Sequence, residues 1–196
     1  MPIRFQQPPS VSDEVVRKGL NEVAQTHRFG IAAETIGGAI DTSNITSPHI
    51  VFSARLDNLR DGKGVESAQP ESWRYFVGSR SAEVGIGGGR QNNFLGVNTG
   101  PFNEGMQRTL QSVESDPRVQ AEDFECRLLR VNALSLAALW LKNKGKGDDL
   151  IIPLGPAPAP FVAEQIYGRT EFNELLTKAA RSKRDLEPPV PRSTTG

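Results

Sequence analysis

The stretch FECRLLRVNALSLAALWLKNKGKGDDLIIPL, residues 124–154, decides how this chain is read, because it gathers the densest apolar content of the sequence around one polar turn. Along an extended backbone Leu134, Leu136, Ala138 and Trp140 point one way, while Ala137, Leu139 and Leu141 point the other. Both faces are then apolar, and the segment reads as the central strand of a sheet. Ala and Leu are also good helix formers, so a buried helix over 133–144 is the rival reading. Lys142 to Asp149 places Gly145 and Gly147 among Lys and Asp, the composition of a solvated hairpin loop, and Leu150 to Leu154 returns as the partner strand. Pro153 has no N–H to donate, which makes that return strand an edge.

Working upstream, Pro101 suits the first turn of a helix over 101–114 with Met106, Leu110 and Val113 as its apolar line, capped by Thr99 or Asn98. Three short runs, Trp73–Val77, Ala82–Ile86 and Asn93–Val97, are joined by glycine-bearing turns and read as an antiparallel meander. His49 to Leu59 reads as a further strand of imperfect alternation, and residues 30–48 as irregular. Ser12 is a candidate N-cap for a helix over 13–28, with Asp13 and Glu14 in its first turn and Val15, Val16, Leu20, Val23 and Ala24 on one side. Downstream, Gly155-Pro156-Ala157-Pro158-Ala159-Pro160 is a stiff connector. Phe172, Leu175, Leu176, Ala179 and Ala180 fall at helical spacing after Thr170. The expected organisation is a flexible lead-in over 1–11, a single α+β domain over 12–184 and a disordered tail over 185–196. Within that domain a mainly antiparallel sheet packs with two or three helices: the 13–28 helix covers the central strand and the 101–114 helix flanks it.

Composition narrows the function classes. Lys plus Arg and Asp plus Glu number 23 each over 196 residues, so no net charge draws the chain to nucleic acid or to an anionic membrane. One cysteine, Cys126, excludes an internal disulfide and the multi-cysteine zinc sites. No apolar run reaches the length of a membrane span or has the form of a signal peptide, and a cytoplasmic protein is expected.

The phrases WRYFV at 73–77, SAEV around Glu83, NTGPF at 98–102, FECRLLRV at 124–131, AALWL at 137–141 and DLIIPL at 149–154 resemble a group of bacterial proteins that has no established activity. The resemblance spans roughly residues 45–180. It implies one α+β domain and a bacterial cytoplasmic protein, and it transfers no site residue.

The candidate chemistry is sparse. Gly85-Ile86-Gly87-Gly88-Gly89-Arg90 has the glycines of a phosphate-cradling loop, but an extended segment follows it in place of a helix, so it reads as a hairpin turn. His27 and His49 lack metal-ligand spacing, and no metal or cofactor is expected. Glu125 and Arg127 lie on one side of the core strand, and Arg74 and Glu83 fall on strands expected nearby; together they form ion pairs across the sheet or grip a polar ligand. Lys178, Arg181, Lys183 and Arg184 complement the dipole at the end of the last helix, and Pro188, Pro189 and Pro191 beyond it form a candidate docking motif. The function these features favour is a non-catalytic protein-binding or assembly role. The alternative is a hydrolase or transferase using Glu83 or Glu125 as a base of raised pKa beside Arg74 or Arg127.

Cys126 alternates in phase with Phe124 and Leu128, which places the thiol in apolar surroundings that suppress the thiolate. A small maleimide is expected to label the native protein slowly and to label it rapidly once denaturant is added. Rapid native labelling would show the thiol to be accessible and reactive.

Overall fold

The computed structural model describes residues 3–26, 44–78 and 80–183. Its elements run β1 (Ile3–Arg4), α1 (Ser10–Thr26), β2 (Ile45–Ser53), α2 (Leu56–Arg60), β3 (Gln69–Val77), β4 (Arg80–Gly85), β5 (Phe94–Asn98), α3 (Pro101–Val113), α4 (Pro117–Gln120), β6 (Phe124–Val131), β7 (Leu136–Asn143), β8 (Leu150–Pro153), β9 (Tyr167–Gly168) and α5 (Arg169–Ser182). The strands form one sheet in the order β5-β4-β3-β2-β6-β7-β8-β9, with β1 beside β6. Every pairing is antiparallel except those of β6 with β1 and β2. The chain is therefore α+β with a mostly antiparallel sheet. Three helices are long, and α2 and α4 are single turns of five and four residues.

The 124–154 stretch is strand, as its two-sided apolar pattern requires, but it is three strands in place of two. The turn of 3-10 helix over Asn132–Leu134 and the left-handed Ser135, with φ of 52°, reverse the chain between β6 and β7. Leu134 thus belongs to the turn and not to the strand. β8 is not an edge: Ile151 pairs with Tyr167 and Leu150 with Gly168 of β9. Pro153 is accommodated at the end of β8 opposite Ala138, where a missing N–H removes little from the ladder.

Ladder partners share a face, so the register sorts the side chains into two layers. On one face Phe124, Cys126, Leu128, Leu139, Leu141 and Ile152 pack with Met106, Leu110 and Val113 of α3. On the other face, Leu129, Val131, Leu136, Ala138, Trp140 and Ile151 pack with Phe172, Leu176 and Ala180 of α5. Farther along that second face, Val16 and Leu20 of α1 cover Trp73, Tyr75, Val77, Ala82 and Val84. The expectation that the first helix covers the central strand is therefore corrected. α1 lies over the β3–β5 meander, and α5 covers the centre because its apolar stripe follows directly from β9.

Other boundaries shift for identifiable reasons. The lead-in is not free: Ile3 and Arg4 pair in parallel with Phe124 and Glu125, and Ile3 is buried in the core. α1 starts at Ser10, with the Ser12 amide donating to the Pro9 carbonyl at 2.9 Å, so Ser12 lies inside the first turn and is buried. The 49–59 segment is strand only to Ser53; Leu56–Arg60 turns into helix and buries Leu59. At the start of α3 the N-cap position is Gly100, with φ of 121° and no capping side chain, and neither Asn98 nor Thr99 serves. His27, most of the segment read as irregular, and the tail with Pro188, Pro189 and Pro191 lie outside the described residues.

Gly19 shows how closely α1 sits on the meander, since a Cβ there would overlap the ring of Phe94 on β5. Gly19→Ala is therefore expected to destabilise the fold by about 1–2 kcal/mol, the overpacking cost outweighing the gain in helix propensity. Urea unfolding with the midpoint and slope fitted separately measures this, and an unchanged or raised midpoint would show that Phe94 yields freely.

Candidate functional site

The α3-side face carries a polar cluster over β3, β4 and β6 where the apolar layer stops. Ser72 and Arg74 alternate on β3, Ser81 and Glu83 on β4, and the registers Arg74↔Glu83 and His49↔Arg74 put these side chains in one row. The Glu83 carboxylate is the hub. Its Oε2 accepts from Arg74 Nη2 at 2.8 Å, Arg130 Nη2 at 3.0 Å and Asn98 Nδ2 at 3.1 Å. Its Oε1 accepts from the Ser72 hydroxyl and, at 3.4 Å, from Arg130 Nη2. Burial pushes the Glu83 carboxyl up, but Arg74, Arg130 and the Ser72 hydroxyl together outweigh it and hold it down at about 2.

Above this cluster lies a cavity of about 960 Å³, within the size range of small-molecule sites. Arg74, Glu83 and Arg130 reach it from the sheet, Glu71 and Arg90 from its rim, and Asn98, Thr99, Gly100, Pro101, Phe102 and Asn103 from the end of β5 and the start of α3. Leu95, Phe102, Leu128 and Ala137 supply apolar wall. Three cations and two anions line it, an excess of one positive charge. The positive end of the α3 dipole opens on the same space without a capping side chain. Arg74 is 6% exposed, and its Nε has no hydrogen-bond acceptor among the described residues, an arrangement that ordinarily costs free energy unless an acceptor is supplied.

Of the residues singled out from sequence, Arg74 and Glu83 are brought together here, with Arg130 beside them. Glu125 and Arg127 are not. They sit on the opposite face of the sheet, because β6 alternates and Arg127 lies in ladder register with Ile50. Arg127 Nη2 pairs with Glu125 Oε1 at 2.6 Å, Lys144 Nζ with Glu125 Oε2 at 3.0 Å, and the guanidinium stacks 4.7 Å from the Phe52 ring centroid and 4.9 Å from that of Trp140. Those contacts account for the pair as packing. Glu125 is, like Glu83, lowered below the usual carboxylate range: burial raises it, and the hydrogen bonds from Arg127 and Lys144 prevail. Neither carboxylate has the raised pKa that the general-base reading required. The glycine-rich segment is a turn, with Gly88–Arg90 in 3-10 conformation between β4 and β5, yet it delivers Arg90 to the cavity rim. Cys126 is fully buried and its thiol is pushed up by burial. Among the described residues no group of three or more His, Cys, Asp or Glu side chains could hold a metal ion, and no helix is long and apolar enough to cross a membrane.

Ser72, Asn98 and His49 were missed from sequence as members of the site. The signal present was period 2: Ser72-x-Arg74 and Ser81-x-Glu83 place polar side chains on one face of strands whose other face is apolar. His49 lies next to Arg74, fully buried between the rings of Phe5 and Phe76. Its Nδ1 lies 2.8 Å from the Ser47 carbonyl, so that nitrogen carries the proton in the neutral ring. Burial is the main cause that lowers His49 to about 4. No family model, no curated protein and no solved structure matches this chain, so the argument for function rests on this geometry.

Two measurements test the cluster. Glu83→Gln leaves Arg74 buried without its carboxylate, and about 3–5 kcal/mol of stability should be lost; the double replacement Arg74→Met with Glu83→Leu should recover most of it, whereas additive losses would mean that the pair is uncoupled. His49 titrates lower in the folded chain than in the unfolded one, so its contribution is fully present above pH 6.5 and is lost as pH falls from 6.5 toward about 4. The loss is on the order of 3 kcal/mol, and His49→Gln should flatten the stability profile in that window while leaving the fall below pH 4.5 that comes from Glu83.

Proposed function

We propose that this chain is a non-catalytic binding protein whose ligand is a small organic anion seated in the cavity above Arg74 and Arg130. The observation that carries the reading is the buried Arg74–Glu83–Arg130 cluster, in which one carboxylate is shared by two guanidinium groups and an excess of positive charge faces a space of ligand size. Arginine forks suit planar, bidentate recognition of acid groups, and the α3 N-terminus adds to the same field. A binding role is favoured over catalysis because Glu83 has its lone pairs filled by five donor contacts and is held ionised, so it has neither the room nor the basicity to take a proton from a substrate. β9 occupies the edge at 149–154, where a partner's strand could otherwise pair, so the binding proposed here is at the cavity.

A thermal-shift screen of small acids, bases and neutral polar compounds at fixed ionic strength tests the reading. Ligands that raise the melting temperature should be acids, by binding linkage, and Arg130→Gln should lose affinity for them about tenfold or more, equivalent to about 1.4 kcal/mol. Stabilisation by cations or neutral compounds only, or acid binding that survives Arg130→Gln unchanged, would overturn it.

A further inference from the structure

Resting on that reading, we infer that the ligand is a singly charged amphipathic acid, a monocarboxylate carrying an apolar body of several carbons, and not a phosphomonoester or a simple inorganic anion. The charge of the lining favours a single anionic group. Arg74, Arg130 and Arg90 against Glu83 and Glu71 leave one positive charge over the lining, with Glu71 pairing at 3.8 Å with both Arg90 and Arg130. One carboxylate neutralises it. A dianion would leave an unbalanced negative charge in a space already holding two glutamates, which is costly in proportion to burial.

The shape and surface of the lining favour an apolar body. Leu128 and Ala137 on the sheet and Leu95 and Phe102 opposite form an apolar wall adjoining the guanidinium groups. An acetate-sized anion would leave that wall wet, whereas a chain or ring attached to the carboxylate would cover it and gain affinity with each buried methylene. Arg130, partly exposed beside Glu83, is the guanidinium open to the acid group.

The test is isothermal titration calorimetry at pH 8 with octanoate, acetate, octanol and octyl phosphate, on the wild-type chain and on two variants. Octanoate should bind at least tenfold tighter than each of the other three. Arg130→Gln should weaken octanoate at least tenfold. Asn132→Trp, at an exposed position on the cavity lining, should also weaken it at least tenfold by occluding the space without touching the ion cluster, which keeps the test valid should the arginine variant fold poorly. Octyl phosphate binding as tightly as octanoate, or acetate doing so, overturns the inference of an amphipathic single charge and leaves the anion-binding reading standing. Octanol matching octanoate, or no member of the series binding, overturns both.

Discussion

One carboxylate ties four strands together. Glu83 projects from β4 and accepts from Ser72 and Arg74 on β3, Asn98 at the end of β5 and Arg130 on β6. Because side chains alternate along a strand, a one-residue slip of β4 would carry Glu83 to the other face. There it would meet Val16, Leu20 and Tyr75 under α1, away from Arg74 and Arg130. The cluster therefore specifies the register of half the sheet, and it does so at the cost of desolvating three charges that a hydrophobic set of the same volume would spare. A cost of that kind is understandable where the charges also meet a ligand.

How much was legible from sequence follows from which patterns are local. The strand character of 124–154, the meander over 73–97, the helix beginning at Pro101 and the helix after Thr170 rest on spacing within each segment, and the structure has them within a few residues. Non-local facts were hidden. Nothing in Ile3-Arg4 alone announces a strand that pairs with Phe124 and Glu125, since two residues carry no periodicity. Likewise Tyr167-Gly168 is too short to reveal the strand that covers β8, and Pro153 argued for an edge that β9 takes away.

The site shows the same limit more sharply. Arg74-Glu83 and Arg127-Glu125 are similar in composition, and sequence offered no way to rank them. Placement ranks them: β6 turns Arg127 onto Phe52 and Trp140, where stacking uses its face and Glu125 its edge. The register β3–β4 turns Arg74 onto a face that α3 covers only in part, beside Arg130. Which face α3 would cover depends on its packing against β7 and β4, a tertiary fact with no counterpart in the local pattern.

The parallel pairing of β2 with β6 has a consequence for the order in which the chain can assemble. β2 through β5 are joined by antiparallel neighbours, so that they can zip up as a local unit, and β6 through β8 form a second such unit. The joint between them, Ile50–Ser53 against Arg127–Arg130, spans the intervening meander and α3, and closing so long a loop is the entropically expensive step. Until it closes, β2 and β6 each present an open, apolar edge to solvent. The assembly step that completes the Glu83 cluster is thus the same step that buries these two apolar edges, which couples maturation of the cavity to escape from misassembly.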